Sequence, residues 1–293
     1  SKISETNGSC WSAMAVSGPG RAPRRPLLRV GAMPFAPGNG QQIHYEDTGG
    51  DGPPVVLAHG FLMDLTMFEH QVAALRDQYR VITWDERGFG ETVFDGQPFT
   101  YWDSASDCLG LMDHLGIDRA VVGGMSQGGY LSLRVALTAP ERVRALILLD
   151  SGAALDAPEK LAANSGMVEM WLAVGPVDEL AQAVATIIID DARENPTWIA
   201  KWQSRPKELL AEPARCLLTR DDVSPRLGEI TCPALVIHGT EDTAITMEHA
   251  EEMAAGLAGC GGVVKGGGAH AANLTNPDPV NDAILDFLAG LPA

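Results

Sequence analysis

The chain has 293 residues, 45% of them hydrophobic and 20% charged, and a formal net charge of −17. That composition suits a globular protein with a sizeable core, and its charge makes nucleic acid and anionic membrane surfaces poor partners, because both would repel it. The apolar runs are strand-length and the five cysteines are scattered without a C-x-x-C pair, so no membrane span, disulfide framework or zinc site is expected, and a reducing, cytoplasmic home is the expectation.

Residues 1–32 are rich in Ser, Gly, Pro and Ala, with Arg21, Arg24 and Arg25 beside Pro23 and Pro26. They lack the continuous apolar stretch of a secretory signal and are expected to form a weakly structured tail. The turn-forming Gly38-Asn39-Gly40 then leads into an alternating strand over residues 41–46. The unbroken apolar run at 55–59 predicts a strand buried on both faces. Helical spacing over 67–76, with Thr66 as candidate N-cap, is followed by a strand at 80–84 and a helix at 102–115. Next come a short strand around Val121 and Val122, a helix-compatible stretch over 130–137 and a strand at 143–149. Later strands are expected at 234–238 and around Val263 and Val264, with a last helix over 279–288.

Strands alternating with helices predict an α/β fold: a mainly parallel central sheet with helices on both faces. The rhythm breaks between Leu149 and Ala234. There Ile187-Ile188-Ile189 continues a helical pattern from Val177, Asn195-Pro196 reads as a cap followed by a first-turn proline, and Trp198 and Trp202 fall at i, i+4. The expected organisation is a core over 33–151 and 229–293, with a helical lid inserted at 152–228.

The chemistry is expected to centre on Gly124-Met125-Ser126-Gln127-Gly128, between a β-branched run and a helical stretch. Small residues on both sides of a serine permit the sharp turn of a nucleophile elbow, and the helix that follows brings backbone N–H groups to where an oxyanion would form. A serine needs a base to take its proton and an acid to orient that base. Both follow Ser126, each just beyond a predicted strand: Asp242 in His238-Gly239-Thr240-Glu241-Asp242, and His270 in Gly266-Gly267-Gly268-Ala269-His270. Ligand-facing loops lie beyond the strand C-termini, so the three share one sheet edge. Asp150, at the end of the 143–149 strand, competes for the role of acid. His59 and His238 end strands and read as structural, while His44, His70, His114 and His249 lie within strand or helix patterns.

With these motifs in order, the chain from about residue 40 onward resembles the α/β-hydrolase fold superfamily. It also shares the His59-Gly60-Phe61 turn and the Asp85-Glu86-Arg87-Gly88-Phe89-Gly90 loop. Within the superfamily it is similar to the lidded, cofactor-free ester and lactone hydrolases, such as the 3-oxoadipate enol-lactonase-like group. The resemblance implies an oxyanion hole of two backbone N–H groups, on Phe61 and Gln127, and implies that Asp85 and Arg87 brace a loop rather than react. Ala269 stands where many relatives carry glycine, and Gln127 where methionine is common. Epoxide hydrolases and haloalkane dehalogenases resemble the chain too, but use aspartate as nucleophile, against which Ser126 argues.

The expected function is therefore a serine hydrolase of a small to medium, largely uncharged carboxylic ester or lactone, using no cofactor and no metal. Carbon–carbon bond hydrolysis or perhydrolysis by the same triad, or a slow-turnover ligand sensor, are the alternatives. Met167, Met170, Trp171, Trp198 and Trp202, at helical spacing in the lid, are the candidates for an apolar substrate pocket.

Overall fold

A computed structural model describes residues 35–292, so the tail expected over residues 1–32 lies outside the described residues. A hairpin comes first. Strand β1 (Phe35–Gly38) turns through Asn39 and Gly40, both at positive φ, into β2 (Gln41–Asp47). The other strands are β3 (Pro54–Ala58), β4 (Arg80–Trp84), β5 (Ala120–Met125), β6 (Val143–Leu149), β7 (Ala234–His238) and β8 (Cys260–Lys265). Their spatial order is β1-β2-β4-β3-β5-β6-β7-β8. The β1–β2 and β2–β4 pairs are antiparallel, and every pair from β4 to β8 is parallel.

Parallel neighbours need crossovers, and helices supply them. Helix α1 (Glu69–Leu75) joins β3 to β4, α2 (Tyr101–His114) joins β4 to β5, and α3 (Gln127–Thr138) joins β5 to β6. Four helices interrupt the pattern before β7: α4 (Pro158–Val174), α5 (Asp178–Ile188), α6 (Asn195–Gln203) and α7 (Ala211–Leu218). Helix α8 (Met247–Gly256) precedes β8, and α9 (Ala272–Thr275) and α10 (Pro277–Ala289) close the chain.

Because side chains alternate across a strand, the central strands feed two cores. Val56, Val122, Leu146 and Val236 pack with α2, α3 and α8 on one face. Val55, Val121, Ile147 and Ile237 pack on the other with α1, α10 and buried residues of α4–α7. At roughly 1.5–3 kcal/mol for each fully buried Val, Leu or Ile, these two layers are the main drive to fold.

Local details differ from sequence expectation at two helix starts. The segment expected to be helical over 67–76 opens with a 3-10 turn, Leu65–Phe68, before α1. Its cap is Asp64 rather than Thr66: the Asp64 carboxylate accepts the Thr66 N–H at 3.0 Å, and a charged acceptor suits the positive end of a turn better than a hydroxyl. Asn195 is the first residue of α6 instead of its cap, and its side chain accepts the Asp191 N–H at 3.3 Å. Among the described residues no helix is long and apolar enough to cross a membrane.

Candidate active site

Ser126 sits between β5 and α3 at φ 52°, ψ −112°, a region that costs a non-glycine residue about 1–3 kcal/mol. The turn holds because its neighbours are over-determined. The Ser126 N–H donates to Leu149 O at 2.8 Å, and the Ser151 hydroxyl donates to Ser126 O at 2.8 Å. The flanking glycines are needed for close approach. A Cβ at Gly128 would lie 2.0 Å from Ala58 O, and one at Gly124 2.4 Å from the same oxygen. The first turn of α3 is thus pressed against the end of β3, which brings the backbone of Gln127 toward the loop of Gly60 and Phe61. Gln127 is the first residue of α3, where no intrahelical carbonyl can reach its N–H.

That loop is braced from behind. His59 is fully buried and neutral, since burial pulls its imidazole below the ordinary range. Its Nδ1–H donates to Gly60 O at 2.8 Å, and its Nε2 accepts the Glu86 N–H at 3.0 Å. Asp85 accepts the backbone N–H groups of Leu65 at 2.8 Å and Glu91 at 2.9 Å, and pairs with His44 Nδ1 at 2.7 Å. Arg87 makes a two-pronged bond to the buried Asp107, at 2.6 and 2.9 Å. Asp85 and Arg87 therefore have their polar groups engaged in the loop scaffold.

On the other side of the serine, His270 Nδ1 lies 2.8 Å from Asp242 Oδ2. A carboxylate can only accept, so Nδ1 carries the proton and Nε2 is left basic. Asp242 Oδ1 accepts two backbone N–H groups, from Ala244 at 2.8 Å and Ile245 at 2.9 Å. Burial alone would raise the Asp242 carboxyl, but the His270 imidazole and these bonds outweigh it and hold it below the ordinary range. The Asp242 and His270 loops are tied together: Glu241 N–H donates to Gly268 O at 2.9 Å, and Gly267 and Gly268 take positive φ to shape the return. Ser126 and His270 line one cavity, of about 330 Å³. Among the described residues no hydrogen bond joins the two.

Asp150 makes no hydrogen bond to His270 among the described residues. Its Oδ1 accepts the Gly239 N–H at 2.7 Å, and its Oδ2 is buried without a partner. Burial, reinforced by the Asp242 charge, pushes the Asp150 carboxyl well up, so it is held neutral. His238 stands beside Asp242, with Nε2 2.8 Å from Ile245 O and 3.3 Å from Asp242 Oδ2. The carbonyl accepts, so Nε2 bears the proton and presents it to Asp242 as well.

Known proteins of this architecture match the chain over most of its length. A family model described as alpha/beta hydrolase fold matches residues 53–277. The chain belongs to the α/β-hydrolase family. It is 30% identical over 267 residues to RutD of Rhizobium rhizogenes, provisionally named a carbamate hydrolase, covering 84% of this chain and 97% of the other. A thermophilic esterase from Thermogutta terrifontis superposes with a TM-score of 0.78 at 31% identity, over 89% of this chain and 98% of that one. The enol-lactonase of Burkholderia xenovorans LB400 gives 0.78 and 31%, over 87% and 100%.

In this hydrolase the inserted helices form much of the cavity wall. Met167 and Trp171, one turn apart on α4, face it. Met170 does not: it is 55% exposed, on the outward side of the same helix. Trp198 and Trp202 are buried but line a separate, smaller pocket with Trp171, and the Trp202 indole N–H donates to Leu62 O at 2.6 Å. The residue pattern had not singled out Asp156, Lys160 and Arg220, which also line the main cavity. No local signal distinguishes them, because residues 152–228 carry many other charged side chains.

Proposed function

We propose that this hydrolase cleaves a carboxylic ester or lactone through an acyl-enzyme intermediate on Ser126. The observation that carries the reading is the Asp242–His270 bond of 2.8 Å, which leaves Nε2 basic, with the base lining the same cavity as a serine on a strained strand-to-helix turn. His270 removes the Ser126 proton as the hydroxyl attacks the carbonyl, and Asp242 stabilises the imidazolium that forms. The backbone N–H groups of Phe61 and Gln127 receive the oxyanion. The protonated His270 then delivers its proton to the leaving oxygen, and water activated by the same ring releases the acid. Helices α4–α7 act as the lid, walling the site from water so that these electrostatic interactions gain strength.

The named relatives are an esterase, an enol-lactonase and a protein provisionally named a carbamate hydrolase, and an ester, an enol-lactone and a carbamate all present an acyl carbonyl. A cavity of about 330 Å³ accommodates a small to medium substrate. The test is hydrolysis of p-nitrophenyl esters from acetate to decanoate by wild type and Ser126→Ala. Turnover that peaks at short to medium chains and vanishes in the variant is expected. Wild-type turnover by Ser126→Ala, with its fold intact by circular dichroism, would overturn the proposal.

A further inference from the structure

One wall of the cavity is charged in a way that a neutral ester does not require. Among the described residues that line it, Asp156 is the one carboxylate, and it faces two cations, Lys160 and Arg220. Asp156 Oδ1 pairs with Lys160 at 2.8 Å and its Oδ2 with Arg220 Nη2 at 2.9 Å. Burial would raise the Asp156 carboxyl, but these two partners outweigh it and keep the group ionised. The cluster therefore carries one surplus positive charge.

Neither cation has spent its donors. Lys160 bonds Asp156 and Ala244 O, leaving one of three N–H groups. Arg220 spends two of five, on Asp156 and on Leu217 O at 3.0 Å. Its guanidinium is fixed over the Tyr130 ring at 4.6 Å, and its side chain is only 4% exposed. If the cluster merely tied α4 to the core, a single neutral Asp–Arg pair would suffice. A second cation at a largely apolar cavity adds desolvation cost unless an anion compensates it.

Resting on the ester or lactone reading above, we propose that Lys160 and Arg220 form a carboxylate-recognition site, and that the substrate carries an ionised carboxyl group in addition to its scissile carbonyl. One surplus positive charge matches one carboxylate, whereas a phosphate dianion would leave an uncompensated negative charge in the cavity. The expected substrate is largely uncharged, and the chain as a whole carries a net charge of −17. Here the local cluster has the opposite sign, and at the range of a bound ligand the nearest charges dominate because distant ones are screened.

The experiment compares the p-nitrophenyl half-ester of adipic acid with p-nitrophenyl hexanoate, matched in chain length, after subtraction of spontaneous hydrolysis. The half-ester is expected to have a kcat/KM at least about tenfold higher in wild type, with the advantage in KM, as one charge-assisted contact supplies. Lys160→Met should shrink that ratio, Lys160→Glu should invert it, and Lys160→Arg should retain it. A purely structural lysine would alter both esters alike and leave the ratio unmoved, which overturns the proposal. Serine-dependent hydrolysis of hexanoate with no preference for the half-ester removes the carboxylate site but keeps the esterase reading. If neither ester turns over, the esterase reading is in question, and binding to Ser126→Ala decides the site alone. Monomethyl adipate raising Tm where dimethyl adipate does not supports the site; equal shifts, or none, overturn it.

Discussion

Replacing Asp242 by asparagine tests the acid–base pair at nearly constant volume. The new amide has one acceptor and one donor end, and the structure decides which faces His270. The Oδ1 position accepts two backbone N–H groups, from Ala244 and Ile245. Turning the NH₂ toward them would forfeit both bonds, at roughly 1 kcal/mol each, and set donor against donor. The oxygen therefore stays there and the NH₂ points at His270 Nδ1, 2.8 Å away in the native pair. The ring can answer only by accepting at Nδ1, which moves its proton to Nε2, where it can no longer take the Ser126 proton. A base locked in the wrong tautomer loses about 10⁴-fold in kcat in a serine triad, or about 5 kcal/mol of transition-state stabilisation. The assay is p-nitrophenyl ester turnover from pH 6 to 10, with a thermal melt to establish that the variant is folded. Turnover by Asp242→Asn within tenfold of wild type would refute the reasoning. Loss of turnover in Asp150→Asn alone would then name Asp150 as the acid.

Ser126→Gly should lose turnover yet melt higher than Ser126→Ala, by about 1 kcal/mol, because φ 52° strains any residue with a Cβ and glycine adopts it freely. Equal melting of the two variants would count against stored strain at the elbow. Glu86 is 1% exposed with Oε1 unpartnered, and burial first, then the Asp107 charge, raises its carboxyl well above the ordinary range. The folded state keeps that proton where the unfolded chain releases it, so Glu86's contribution is full below about pH 4.3 and is lost as pH rises toward the folded value. Glu86→Gln has no such slope, so its stability relative to wild type should grow from pH 4.5 to pH 8 in denaturant titrations. A pH-independent difference would contradict the assignment.

Much of this molecule is legible in its residues because the signals are local. The 80–84, 143–149 and 234–238 runs form strands β4, β6 and β7 at the expected bounds, since continuous apolar stretches of that length bury on both faces of a parallel sheet. Strand β1 is not legible in the sequence: four residues of Phe-Ala-Pro-Gly hold no alternation, and they are a strand only through pairing with β2. Ser126, Asp242 and His270 stand out because each lies in a glycine-containing turn just past a strand. Gly128 illustrates how far such a reading reaches. Sequence places a small residue there, but the reason, a β3 carbonyl 2.0 Å from where a Cβ would sit, exists only after strands distant in the chain have paired.

The sequence by itself determined the family, the parallel sheet and the chain order of Ser126, Asp242 and His270 at strand ends, because each is written in short contiguous segments whose spacing follows strand and helix periods. Tertiary structure decided what the cavity is made of. Helix α4 has apolar residues on all sides and buries only Trp171, so its periodicity points nowhere. Successive residues lie about 100° apart around a helix, which is why Met167 and Trp171 face the cavity while Met170 faces solvent. Asp156, Lys160 and Arg220 meet only because the inserted helices fold back onto the sheet edge. A charge cluster assembled across some sixty residues of chain has no local period to announce it, and its sign within the cavity emerges only from three-dimensional proximity.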